Sequence, residues 1–434
     1  EMGVQLDFRV ICRNMVDYTK FITSFSSKRK SGLIREMVKV LTSAPKEIIP
    51  LSAGQPNSKL FPFVKMTLDI NDGTQITIQG PQLHKALQYQ PTDGIPELIS
   101  LVKNLQKEMH DPPNWENMDL LILPGSQDGL CKAMEMMLET DGKSTIITEE
   151  YLFTNALAIM EPYEPNMIKI KGDSDGMIPE ELEKSLQNPN NSKDIKFIYI
   201  NPTGCNPTGT VLTDKRKRQI YDLCSKHDII ILEDDPYYYL QYDPKRAKSF
   251  LSMDVDGRVL RFDSFSKMMS SGLRLGFMTG PKVLLERIAL HMQVSVLHAS
   301  SLSQVIVCEL LKAWGTKGFH EHVRRVESFY EEQCKMMTSA ATKYLNEVCE
   351  WTVPKSGMFL WISVPSVQDL NEDFFKEAFS RNVMLLPGRA FVNDPTLPCN
   401  SFRASFSIVS PEQVEEAFMI LRQLVQEEIQ AQSK

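Results

Sequence analysis

The sequence predicts an α/β fold, a mostly parallel sheet covered by helices, joined to a smaller α+β domain. Three observations predict it. From about residue 119 short apolar runs alternate with helix-like segments, and after about residue 300 long amphipathic helices give way to short strands. At 434 residues, moreover, the chain exceeds one ordinary core. Strand, helix, strand repeated in this way implies parallel strands joined by crossover helices. The expected division is an N-terminal extension and arm over 1–47, a small-domain segment over 48–60, a large domain over 61–315 and a small C-terminal domain over 316–434.

Each element has its own warrant. MVDYTKFITSFSSKRKSG, from Met15, is basic, hydroxyl-rich and poor in acids; it reads either as a targeting peptide or as a polar arm lying on a partner subunit. DLLILPGS, TIITEE, NMIKIKGD, DIKFIYI and DIIILEDD read as strands, with QDGLCKAMEMML as a helix after the first. The helix DKRKRQIYDLCSKH carries Ile220, Leu223 and Cys224 on one face and basic residues elsewhere. RVLRFD alternates apolar and polar residues as a half-buried strand does, and GLRLGFMTG is a second such run. SQVIVCELLKAWG and HVRRVESFYEEQCKMM then read as helices, GMFLWISV and SFRASFS as strands, and a helix closes the chain.

Composition narrows the function. A net charge of -7 and a pI near 5.7 provide no basic field for nucleic acid or an anionic membrane. No apolar run reaches the roughly 18 residues that span a bilayer. The eight cysteines show no C-x-x-C and read as reduced thiols of an intracellular compartment, mitochondrial or cytoplasmic. His320 and His322 stand two apart, on different faces of a helix, so no metal is expected.

Four stretches fall at expected strand ends, where open α/β sheets bind ligands. In GSQDGL, Ser126 and Gln127 open a helix whose N-terminal amides suit an anion. NPTGCNPTG, 201–209, is a tight turn that aims an asparagine back over the sheet. EDDPYYYL places Tyr237 three residues beyond Asp234. DSFSKMMSSGLRLGF sets Lys267 on a strand-to-strand connection among small hydroxyls, with Arg274 seven residues on. Taken singly, each residue suits an ordinary cap, core or loop position.

Together and in this order, the four stretches resemble the aspartate aminotransferase superfamily of pyridoxal-phosphate enzymes, fold type I. The likeness runs over nearly the whole chain from Met15. SFSKMMSSGLRLGF, EDDPYYYLQY, LSMDVDGRV, ALQYQPTDGIPEL and FRASFS are most similar to the kynurenine/2-aminoadipate aminotransferase group. The resemblance implies that Lys267 forms the Schiff base with pyridoxal 5'-phosphate and then serves as the base of the proton shift. Asp234 would pair with the pyridine nitrogen, and Tyr237 and Asn206 with the phenolic oxygen. Ser126, Gln127, Ser264, Ser266 and Arg274 would hold the phosphate, and Asn206 and Arg403 the substrate, Arg403 through its α-carboxylate. GLIREM and LSAGQPNSKLFPF point to Arg35 and Gly54 on the substrate side, and Tyr89 would reach in from the neighbouring subunit of a homodimer.

Two departures from the group stand out. Where the family stacks an aromatic from a motif like E-P-x-Y, this chain has EEYLFTNAL without the proline. Tyr151 or Phe153 takes the role, Tyr151 being the expected one. Gln55 stands where the group tends to carry an aliphatic residue. The implied activity moves an amino group from kynurenine, 2-aminoadipate or a related donor to 2-oxoglutarate, with small amino and oxo acids as the only partners besides a second copy. A β-eliminating carbon-sulfur lyase would use the same lysine. A transcription regulator of this fold would need a basic helix-turn-helix module, for which the residues before 50 are too few. A nucleotide-binding oxidoreductase would need a G-x-G-x-x-G opening a helix after a strand, which is absent.

Overall fold

The computed structural model describes residues 16–32, 49, 51, 54–189, 191, 194–243 and 245–433. A hairpin, β1 (Lys65–Asp69) and β2 (Gln75–Gln79), precedes the large sheet. That sheet is built from β3 (Met118–Leu123), β4 (Thr145–Glu149), β5 (Asn166–Ile170), β8 (Ile195–Ile200), β9 (Ile230–Asp234), β10 (Val259–Ser264) and β11 (Gly276–Pro281). The short hairpin β6 (Gly172–Asp173) and β7 (Gly176–Met177) follows β5. The spatial order is β3-β11-β10-β9-β8-β4-β5. β11 alone runs against the others, pairing antiparallel with both β10 and β3. The carboxyl ends of β3, β4, β8, β9 and β10 therefore share one edge, and the β10–β11 connection returns at that same edge.

Both faces are covered, and the alternation along each strand shows it. Phe197, Tyr199, Ile230 and Leu232 enter one core, with the helices Ser126–Met137 and Lys282–Ser295. Ile198, Ile200 and Ile231 enter the opposite core, with the helices Pro179–Gln187 and Asp214–Lys226. Each such side chain contributes about 1.5–3 kcal/mol on burial. RVLRFD departs from its expected half-burial: all six residues of β10 are buried, Arg261 and Asp263 included. The polar positions face a second covering layer and pair with one another there, which periodicity does not distinguish from solvent.

The smaller domain holds a four-stranded antiparallel sheet of β12 (Glu350–Trp351), β13 (Phe359–Ser363), β14 (Leu386–Pro387) and β15 (Ser401–Ser405), in the order β12-β13-β15-β14. The long helix Ser301–Leu345 leads into it and is interrupted at Gly315, whose φ of 56° leaves the helical region. The closing helix Pro411–Gln432 starts at a capping box between Ser410 and Gln413 and packs on the long helix.

Residues 16–32 make contacts to the large domain of their own chain. Val16 and Phe21 are buried in the large-domain core. The N–H of Thr23 bonds the Met136 carbonyl at 2.8 Å, Arg29 pairs with Glu135 at 2.7 Å, and Arg287 donates to the carbonyls of Ser26 and Arg29 at 2.6 Å each. The two apolar anchors explain what the basic composition hid. No helix among the described residues is long and apolar enough to cross a membrane.

Candidate active site

The shared edge of the sheet opens into a cleft of about 430 Å³ between the two domains. Ser126 and Gln127 reach it from the end of β3, where the helix Ser126–Met137 begins. Gly125 at the N-cap adds no side chain to the first turn, so its N–H groups are left to an anion. The fit here is close. A Cβ on Gly125 would lie 2.7 Å from Nη2 of Arg274, and one on Gly276 would lie 2.7 Å from the Ser126 nitrogen. Arg274 itself adopts a left-handed backbone, φ 47°, a conformation that costs an arginine about 1 kcal/mol and points its guanidinium at this turn. Ser264 and Ser266 border the same corner, the Ser264 hydroxyl accepting the Ser266 N–H at 3.2 Å.

Lys267 lies on the β10–β11 connection, its Nζ 6.0 Å from the Tyr237 ring centre. Burial, then Arg403 and Arg274, lower its pKa, which favours the neutral amine a nucleophile requires. Asp234 ends β9 and accepts the Tyr199 hydroxyl at 2.8 Å. Burial pushes its carboxyl up to about 6, against the hydrogen bond from Tyr199. The NPTG turn presents Asn206, whose Oδ1 accepts Nη1 of Arg403 at 2.6 Å. Arg403, on β15, lies 4.1 Å from the ring centre of Phe359 and 5.1 Å from that of Phe391. Its Nε is buried without a hydrogen-bond partner among the described residues.

These groups fit pyridoxal 5'-phosphate and an amino-acid substrate. An anion site of helix amides, hydroxyls and a guanidinium, a lysine whose pKa burial lowers, and a buried carboxylate match the cofactor's phosphate, aldehyde and ring nitrogen. The Arg403 guanidinium, with its buried Nε still without a partner among the described residues, matches a second carboxylate.

Several expected residues lie elsewhere. Tyr151, the expected stacking ring, packs on Trp361 of β13, centres 4.7 Å apart, beside a neighbouring cleft of about 450 Å³. Phe153 lines the cofactor cleft instead, because it stands at the N-cap of the helix Thr154–Met160 while Leu152 is pinned through its N–H to the Phe391 carbonyl at 2.8 Å. Gly54 is exposed and does not line this cleft; Tyr89, expected to serve the neighbouring subunit, is half exposed beside His298. Arg35 lies outside the described residues. His320 bonds Glu108 at 2.8 Å and His322 the Met268 carbonyl at 2.6 Å, and the described residues contain no cluster of metal-ligating side chains.

Other residues of the site escaped the sequence. Asn201, in the first of the two NPTG repeats, donates to the Asp234 carbonyl at 2.5 Å and accepts the Asn206 N–H at 2.7 Å. The duplicated motif was its signal. Phe359 and Phe391 read only as apolar, and nothing in their spacing pointed to Arg403.

The comparisons agree with this geometry. The profile of the family described as "Aminotransferase class I and II" matches residues 31–421. The mitochondrial kynurenine/alpha-aminoadipate aminotransferase of Mus musculus is 45% identical over 427 residues, covering 95% of this chain and all of that protein. The crystal structure of the aminotransferase Aro8 from Candida albicans superposes with a TM-score of 0.85 at 28% identity, over 96% of this chain and 99% of that one. The kynurenine aminotransferase of Pyrococcus horikoshii, solved with PMP, KYN and KYA, gives 0.74 at 26% identity over 95% and 98%. The chain belongs to the class I and II aminotransferases, and it is a pyridoxal-phosphate-dependent enzyme of fold type I.

Proposed function

We propose that the enzyme transfers the amino group of kynurenine, 2-aminoadipate or a related amino acid to 2-oxoglutarate. One observation carries the reading: Lys267, Asp234, Arg274, the helix start at Ser126 and Arg403, from four separate stretches, converge on one cleft. Bound there, the cofactor supplies an electron sink for the carbanion formed at the substrate's α-carbon. Asp234 keeps the ring nitrogen protonated, Asn206 and Tyr237 hold the phenolic oxygen, and Phe153 stacks on the ring. Ser126, Gln127, Ser264, Ser266 and Arg274 retain the phosphate. Arg403 would orient the α-carboxylate so that the α-proton faces Nζ of Lys267, the base that would take up that proton and hand it back.

A homodimer is part of the proposal. Leu60, Phe63, Val64 and Tyr89 are exposed on the N-terminal side, and a second copy would cover them while Tyr89 and Gly54 serve its cleft. The mitochondrial relative supports the same compartment for this protein; organelle fractionation checks it. The relatives do not favour a β-eliminating lyase or a transcription regulator. The test is a screen of amino donors against several oxo acids with purified, cofactor-loaded protein. Glutamate formed in stoichiometry with the donor's oxo acid supports transfer. Release of ammonia and pyruvate from a cysteine conjugate, without glutamate, would replace it with elimination.

A further inference from the structure

Beneath the cleft lies a set of buried charges that the proposed chemistry leaves unused. Arg261, on β10, is wholly buried. Its guanidinium meets Glu233 at 3.1 Å and Asp235 at 2.8 Å, and it grips both oxygens of Asp263, at 3.0 and 2.8 Å. The ring of Tyr238 lies 4.8 Å from it, with a second guanidinium, that of Arg246, 5.4 Å from the same ring. From the helix Asp214–Lys226 comes buried Lys217, its Nζ donating to the Lys248 carbonyl at 2.6 Å. From the helix Pro96–His110 come Gln106, 3.5 Å from Asp263, and His110, hydrogen-bonded to the Ser249 hydroxyl at 2.8 Å. Carboxylates outnumber cations in contact with one another here, and burial raises the pKa of Glu233 and that of Asp263, the latter to about 7.

Two links carry this cluster to the site. Asp235 directly follows Asp234, and its Oδ2 accepts both Nη1 of Arg261 at 2.8 Å and the Thr203 hydroxyl at 3.2 Å. Thr203 belongs to the turn that presents Asn206. Asp263 immediately precedes Ser264, on the strand that delivers Lys267. One side chain thus touches the ends of the two strands that carry Asp234 and Lys267, and reaches the turn through one carboxylate.

We propose that Arg261 is a positioning residue of the transfer site. Its fork locks the carboxyl ends of β9 and β10 and, through Asp235 and Thr203, the Asn206 turn, while its charge offsets the carboxylates crowded beside Asp234. The inference rests on the reading of Asp234 as the partner of the ring nitrogen. A buried ion cluster serving the fold alone could be exchanged for apolar residues with no effect on the site, so the readouts must be ones that stability does not move.

The test uses the cofactor-loaded enzyme with Arg261→Met, which removes fork and charge, Arg261→Lys, which keeps only the charge, and Thr203→Val, which cuts the link to the turn. Asp234→Asn serves as control for the underlying reading. Circular dichroism checks the fold; kcat, KM and the pH midpoint of the bound cofactor's absorbance change are measured. In Arg261→Met, kcat is expected to fall about tenfold or more with KM changing less. The midpoint shifts, because the charge that holds down the Asp234 carboxyl has been withdrawn. Arg261→Lys returns the midpoint toward that of the parent but leaves kcat low, and Thr203→Val lowers kcat at an unchanged midpoint. A folded Arg261→Met enzyme with parental kcat and midpoint overturns the proposal. If that variant does not fold, parental kcat in both Arg261→Lys and Thr203→Val overturns it. Normal turnover in Asp234→Asn instead overturns the reading of the site, whatever the Arg261 variants do.

Discussion

Arg403→Lys probes the substrate side of the site with a single change of geometry at constant charge. The arginine is held flat by Phe359 and Phe391, and Nη1 is spent on Asn206 at 2.6 Å, while Nε is buried without a partner among the described residues. A substrate carboxylate completes that arrangement by accepting from the rest of the fork. Lysine keeps the charge but has neither the fork nor the flat face that stacks on the phenyl rings. Losing one charge-assisted hydrogen bond costs about 1.5–3 kcal/mol, which is roughly ten- to hundredfold in kcat/KM. Every amino acid and oxo acid carries the α-carboxylate, so the loss should be uniform. The assay is kcat/KM for methionine, kynurenine and 2-aminoadipate as donors, and for 2-oxoglutarate as acceptor, in parent and variant. A loss below about threefold, or one confined to the acidic donor, refutes the assignment.

Phe153→Ala should weaken cofactor binding by roughly two- to tenfold, the scale of an aromatic contact beyond its area, whereas Tyr151→Ala should leave it unchanged; fluorescence titration of cofactor-free protein decides. Asp234→Asn should still bind cofactor yet turn over at least about a hundredfold more slowly, since an amide cannot hold the ring proton as a carboxylate does; steady-state kinetics check it. Asp234 is ionised above, and neutral below, the value of about 6 to which burial raises it. Cofactor affinity measured against pH should therefore fall as pH drops through that region, and the fall should vanish in Asp234→Asn.

The cofactor side of the site was legible because sheet polarity did the sorting. Once β3, β8, β9 and β10 were recognised as strands, the residues that follow them had to gather at one edge, and Ser126, Asn206, Asp234 and Lys267 do so. What stayed hidden depended on contacts between segments distant in sequence. Tyr151 and Phe153 are both aromatic and two residues apart, and only packing separates their surroundings, Tyr151 against Trp361 and Phe153 lining the cleft. Asn201 and Asn206 open identical tetrapeptides, yet one braces the strand end while the other meets Arg403. Arg261 and Asp263 read as the solvent face of a strand, because a pattern of alternation records polarity and not what lies opposite. In the N-terminal segment, composition gave no sign that Lys20 and Arg29 pair with Asp228 and Glu135 of the same chain.

The central claim is that Lys267 carries the cofactor in a cleft built around it. The most direct measurement is borohydride reduction of the cofactor-loaded enzyme, followed by protease digestion and mass mapping of the peptide that retains the cofactor. The account predicts a single labelled peptide, DSFSKMMSSGLR or a fragment of it, with the adduct on Lys267. An adduct on any other lysine, or none from protein that is turning over, contradicts it.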